Sequence, residues 1–205
     1  TIAGRADDVV DYGLEEVFGE HNPQYEAKGI VADLQLGEVI DSYGDTDIIY
    51  RNEIGAGIQN IVATSKDDII IGSDQENVIE AGSGDDLIQT GAGDDEVFGG
   101  LGDDRIIVGA GDDTIYGDSR HEAGGRDTFV FEGGFGTDTI EDFEAAAARP
   151  ANYSLADTVW GPSLGGDRII VRLDQDDHLE GPIEEPGKIV LRKTRQDGQT
   201  HSVLV

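Results

Sequence analysis

Apolar and polar positions recur along this chain with a period of nine residues between Ile54 and Tyr116. Seven blocks follow one another without a gap: IGAGIQNIV, ATSKDDIII, GSDQENVIE, AGSGDDLIQ, TGAGDDEVF, GGLGDDRII and VGAGDDTIY. Position 8 is Ile61, Ile70, Ile79, Ile88, Val97, Ile106 and Ile115, a branched apolar residue every time. Position 6 is Gln59, Asp68, Asn77, Asp86, Asp95, Asp104 and Asp113. In the last four blocks glycine fills positions 2 and 4: Gly82 and Gly84, Gly91 and Gly93, Gly100 and Gly102, Gly109 and Gly111. After the insertion GDSRHEAGG the phase resumes at Asp127 with Phe129, and again at Asp138 with Ile140.

Each block predicts a tight turn over its first six residues, where glycine reaches backbone angles that other residues adopt only at a cost. Its last three residues predict a very short strand with one inward side chain, a place that suits β-branched Ile and Val. Two blocks then make one coil of an all-β, right-handed parallel β-roll, with each block lying on the next but one. Such a coil buries two apolar side chains per eighteen residues, too few to offset the entropy of ordering them. Stacked carboxylates add repulsion. A hard dication answers both difficulties, because calcium takes six to eight oxygens and these turns offer carboxylates and backbone carbonyls.

The pattern resembles G-G-x-G-x-D-x-U-x, the calcium-binding nonapeptide of RTX (hemolysin-type) proteins. The resemblance implies Ca2+ as cofactor, several ions in all. The turns expected to hold it are Ala81, Gly82, Gly84 and Asp86 against Gly99, Gly100, Gly102 and Asp104. On the other side stand Thr90, Gly91, Gly93 and Asp95 against Val108, Gly109, Gly111 and Asp113. Asp68 with Asp86 is a candidate for one further ion, Asn77 supplies only a carbonyl, and Asp127 and Asp138 carry the ladders onward. The neutral Gln59 is expected to cap its ladder without metal, and block 63–71 has Lys66 where later blocks have glycine.

The flanks divide the chain into an N-terminal β extension (1–53), the roll (54–143) and a C-terminal β cap (144–205). Residues 42–71 resemble the lead-in segment of large RTX proteins, with strands expected at Ile48–Tyr50 and Ile58–Ala63. GIVADLQLGEVIDSYG (29–44) reads as strand, turn, strand, and RADDVVDY as a degenerate coil. Residues 126–144 resemble the distal end of the array in RTX proteases, lipases and alginate epimerases. There Phe129, Phe131, Phe135 and Phe143 are expected to close the open end of the roll. EAAAARP predicts a turn or two of helix, 166–173 a strand, and 188–205 a hairpin across Asp197-Gly198. The apolar end Val203-Leu204-Val205 resembles the export signal of type I secretion substrates, with a closing strand as the alternative.

Composition narrows the function. Asp plus Glu number 44 against 14 Lys plus Arg, a formal charge of −30. That excludes nucleic acid and anionic membrane surfaces as partners, since both demand cationic groups. There is no Cys, so neither a disulfide nor a thiolate metal site is available. There is no Met either, even at position 1, so the chain reads as a piece of something longer. Catalysis is not expected. Gly161-Pro162-Ser163-Leu164-Gly165 fits G-x-S-x-G but lacks the flanking strand and helix of a nucleophile elbow. The four histidines stand far apart, and the carboxylates form a ladder of equivalents rather than a tuned pair. The resemblance implies a secreted, extracellular calcium-folded module. It would support a larger protein with an N-terminal catalytic or toxin domain and pass through a type I secretion apparatus. The alternative is calcium-dependent polysaccharide or cell-surface binding, for which Phe98, Tyr116 and Arg105 are the candidates.

Overall fold

The computed structural model describes residues 9–13, 28–41, 44, 46–48, 59–118, 124–132, 136–143, 159–160, 167–172, 177–179, 184–185 and 188–195. Phe135, the EAAAARP segment, Ser163, the Asp197-Gly198 turn and the Val203–Val205 end lie outside these residues, as does every His but His178. Among the described residues all regular structure is β, in two nine-stranded sheets.

Strands are numbered in chain order. The first sheet runs β1 (Val9–Asp11), β5 (Asn60–Val62), β7 (Val78–Ser83), β9 (Glu96–Leu101), β11 (Thr114–Asp118), β13 (Thr137–Ile140), β18 (Lys188–Arg195), β16 (Asp177–Leu179), with β17 (Glu184–Glu185) also on β18. The second runs β14 (Val159–Trp160), β15 (Arg168–Arg172), β12 (Thr128–Glu132), β10 (Arg105–Val108), β8 (Leu87–Gln89), β6 (Ile69–Ile71), β2 (Val31–Asp33), β3 (Glu38–Ile40), β4 (Thr46–Ile48). Successive strands from β5 to β13 alternate between the sheets, so each block pairs in parallel with the next but one. The nine-residue phase explains the alternation: six residues reverse the chain and three span the sheet.

Register stacks position 8 upon itself. Ile61, Ile79, Val97, Ile115 and Ile140 form one buried row. Ala32, Ile70, Ile88, Ile106, Phe129 and Ile169 form the row on the other sheet. Both rows belong to one core. Flanking positions 7 and 9 point outward, which is the period of two in a strand.

Parallel stacking runs beyond the repeats at both ends. β1 lies parallel on β5 and β2 on β6, while β15 continues the second sheet past β12. Antiparallel strands finish the sheets: β18 against β13, β14 against β15, and the β2–β3–β4 meander at the N-terminal side. In the lead-in the described strands are Thr46–Ile48, which starts two residues before the expected one, and Asn60–Val62, which stops short of Ala63; Ile49, Tyr50 and Ile58 lie outside the described residues. Phe129 is not the lid expected of it. It is an inner rung with Ile169 stacked beyond, and the half-buried Phe143 packs on it from 6.3 Å.

Candidate metal centre

The turns joining these strands stack as tightly as the strands do. Gly82, Gly84, Gly91, Gly93, Gly100, Gly102 and Gly111 all have positive φ, between 102° and 139°. Space is as restrictive as conformation: a Cβ on Gly100 would lie 2.0 Å from the carbonyl oxygen of Gly82, and one on Gly102 2.0 Å from that of Gly84. Gly109 does not need a left-handed backbone, but its Cβ would stand 1.7 Å from Gly91 O. Backbone carbonyls of one turn thus abut the glycine of the next, an arrangement no side chain tolerates.

On this frame position 6 forms two ladders. On the second-sheet side the Asp68 amide donates to Asp86 Oδ1 (2.7 Å), Asp86 to Asp104 (2.9 Å), Asp104 to Asp127 (3.0 Å) and Asp127 to Asp167 (3.0 Å). On the first-sheet side Asn77 donates to Asp95 (2.8 Å), Asp95 to Asp113 (2.9 Å) and Asp113 to Asp138 (3.0 Å). One carboxylate oxygen of each rung is therefore fixed by the neighbouring backbone. The other, Oδ2 of Asp86, Asp95, Asp104, Asp113 and Asp138, is buried without a hydrogen-bond partner.

Burial drives the pKa of these groups upward, offset in part by the amide each accepts, with neighbouring carboxylates adding repulsion. The pKa rises to about 9 at Asp138, about 8 at Asp86, Asp95 and Asp127, about 7 at Asp104 and about 6 at Asp113. A buried anionic oxygen with no donor is costly unless protonated or met by a cation. The donor set fits calcium: hard oxygens, one fixed and one unpartnered on each of five rungs, beside close-packed backbone carbonyls. Among the described residues no three acidic or imidazole side chains converge on one point. A cation here would accordingly draw on carboxylates and backbone oxygens together.

The sequence-predicted residues do not all stand alike. Asp68 is saturated: Ile30 N donates to Oδ1, Thr64 N to Oδ2, and the Thr64 hydroxyl reaches both oxygens at 3.0 Å. Asn77 is satisfied as well, accepting from the amide and hydroxyl of Ser73 and donating to Gln59 O. Thr64 and Ser73 occupy position 2, where later blocks have glycine. Their hydroxyls supply a donor that glycine at position 2 cannot; among the later rungs Asp95 has the Thr90 hydroxyl beside it, and its Oδ2 still lacks a partner. Gln59 also donates to the Gln75 side chain, closing that end of the ladder. Of the expected carbonyl donors, Gly91 O accepts Ala110 N and Gly111 O accepts Gly136 N. The Thr90 hydroxyl accepts Gly109 N at 2.9 Å.

Three features escape the sequence reading. Asp167 is a buried rung beyond Asp127. Its signal is the pentapeptide Asp167-Arg168-Ile169-Ile170-Val171, which repeats Asp104–Val108 letter for letter. Position 5 forms a second, exposed pair of ladders running the opposite way: Asp85 N donates to Asp67, Asp103 N to Asp85, Arg126 N to Asp103, and Asp112 N to Asp94. The doubled Asp of five of the seven blocks is its signal. Asp142 holds the amides of Gly117 and Asp118 at the insertion, and burial raises its pKa.

Phe98 and Tyr116 stack with ring centroids 4.7 Å apart, but Phe98 is only 4 % exposed. It does not offer the open aromatic face that a glycan-binding surface needs.

In comparison with known families, residues 54–88, 71–106 and 89–119 match the model of the RTX calcium-binding nonapeptide repeat, in four copies. No curated protein matches the chain.

Proposed function

We propose, on the premise that residues 54–119 are RTX calcium-binding nonapeptide repeats, that this chain is a calcium-folded β-roll module of a larger secreted protein. The repeats bind Ca2+ and are structural rather than catalytic units. The further reading has four parts: a right-handed parallel roll, extracellular folding, passage through a type I exporter, and support of a separate catalytic or toxin domain. One observation carries the calcium-dependent folding: five buried aspartates, stacked in two ladders, each keep an oxygen that no donor satisfies.

Bound calcium supplies the positive charge these oxygens lack. The chain's own part is to present them. Glycines let turns approach until carbonyls meet the next turn, and the position-6 amides hold Oδ1 so that Oδ2 stays fixed. Without a cation, ionised Asp86, Asp95, Asp104, Asp113 and Asp138 oppose closure of the turns, and the core rows alone are too thin to hold them. Extracellular modules of this chemistry commonly bind with constants around 10⁻⁴ to 10⁻³ M, which suits folding outside a calcium-poor cytoplasm.

The test is circular dichroism of the metal-stripped chain at neutral pH, titrated with calcium. The expected result is a largely coil spectrum passing cooperatively to β, with magnesium failing because it demands a tight octahedron and dehydrates reluctantly. A chain equally ordered and heat-resistant in chelator would overturn the reading. The glycan-binding alternative is less well supported, because Phe98 is covered.

A further inference from the structure

The outward face of the second sheet differs from the rest of this acidic molecule. Register places Ile40, Val31, Ile69 and Leu87 side by side on four adjacent strands, β3, β2, β6 and β8. They are 43 %, 38 %, 41 % and 36 % exposed, so position 7 here is an open apolar row. The row continues through Arg105 to Arg168 without one acidic residue, in a chain carrying 44 of them. At its other end the same face carries Glu38, exposed on β3 beside Ile40. On the opposite sheet the equivalent row includes Glu96 and two threonines.

A face with an apolar centre, a basic end and an acidic end is complementary to itself when turned by a two-fold axis. Stacking two copies with their ladders running in opposite directions lays apolar row on apolar row. It also brings Arg105 of each copy towards the Glu38 end of the other, the arrangement an isologous contact requires. We propose that this face pairs two copies of the chain once calcium has folded them. An acidic partner would meet the arginines but not Glu38; a second copy meets both. Four strands at 4.7–4.9 Å spacing give a patch about 15–20 Å across, at most about 400 Å² on each copy, which is below the standard interface and marks a weak, transient contact. The association is therefore expected in the micromolar range.

This inference rests on the calcium-dependent folding proposed above, and the experiment separates the two. Sedimentation velocity and circular dichroism are run together on the full chain in calcium, across the micromolar range. A β spectrum with a concentration-dependent monomer–dimer equilibrium supports the proposal. A coil spectrum in calcium sinks the folding reading and this one with it. A β spectrum with a monomer at every concentration sinks this inference alone. The combined variant Val31→Gln, Ile69→Gln, Leu87→Gln, altered only on outward positions, should keep the β spectrum and weaken dimerisation at least about tenfold. Arg105→Glu should weaken it as well, and adding Glu38→Arg to the same chain should restore it. An unchanged dimer in the triple variant overturns the assignment. So does a monomer that instead binds neutral phosphatidylcholine vesicles through this row, which would make the occupant a lipid surface.

Discussion

At the scale of the single residue, what distinguishes the rungs is whether the second oxygen of position 6 has a donor. Asp68 has Thr64, and Asn77 has an amide in place of the charge. Asp95 has neither for Oδ2, and its pKa lies near 8. Asp95→Asn is therefore expected to act in opposite directions with and without metal. Isothermal titration should show calcium affinity falling at least about tenfold, or about 1.4 kcal/mol. At pH 6, between the ordinary pKa of an Asp and the raised value of Asp95, the metal-stripped variant should keep more β signal by circular dichroism than the metal-stripped parent, since a buried carboxylate that must ionise has been removed. Equal calcium affinity in the two proteins would count against Asp95 as a ligand.

At the scale of the element, the turn glycines matter through both angle and space. Gly100 has φ +120° and no room for a Cβ; Gly44 has φ +91° with nothing within 4 Å. Gly44→Ala should cost only backbone strain, about 1 kcal/mol, whereas Gly100→Ala must also push two turns apart. In calcium titrations followed by circular dichroism, the midpoint of Gly100→Ala should move clearly higher than that of Gly44→Ala. Much of this level was legible in the sequence. A branched residue at position 8 of every nine-residue block, and glycine at positions 2 and 4 of the last four, leave little choice of strand, turn or pairing partner. What was not legible is what periodicity cannot encode. RADDVVDY reads as a degenerate coil and 29–44 as strands, but their pattern does not say which rungs they lie on: β1 pairs in parallel with β5 and β2 with β6 across tens of residues of intervening chain. Asp167 reaches its ladder from forty residues away, past a segment with no repeat phase. The saturation of Asp68 depends on Ile30 and Thr64, and only the three-dimensional stacking brings Ile30 to it.

At the scale of the whole molecule, the ladders make stability depend on pH in a stated direction. An ordinary Asp ionises near 4, while Asp86, Asp95, Asp127 and Asp138 in the fold ionise near 8 to 9. The folded state thus binds more protons than the unfolded one between these limits, and metal-free stability falls as pH rises through the window. Metal-stripped chain should be most ordered near pH 4–5 and least ordered near pH 9, by circular dichroism at low protein concentration. Calcium binding displaces these protons, so affinity should rise over the same window. A metal-free spectrum independent of pH would contradict the burial of these groups.

The alternation of successive blocks between two sheets has an arithmetical consequence for editing the chain. Excising eighteen residues, 81–98, removes one strand from each sheet and rejoins Glu80 to Gly99 with both sheet assignments intact. Excising nine, 90–98, reverses parity: every later strand must migrate to the opposite sheet, and the antiparallel ends no longer find their partners. The shorter deletion should be the more damaging one, a result that calcium-induced β signal in the two shortened proteins would read directly.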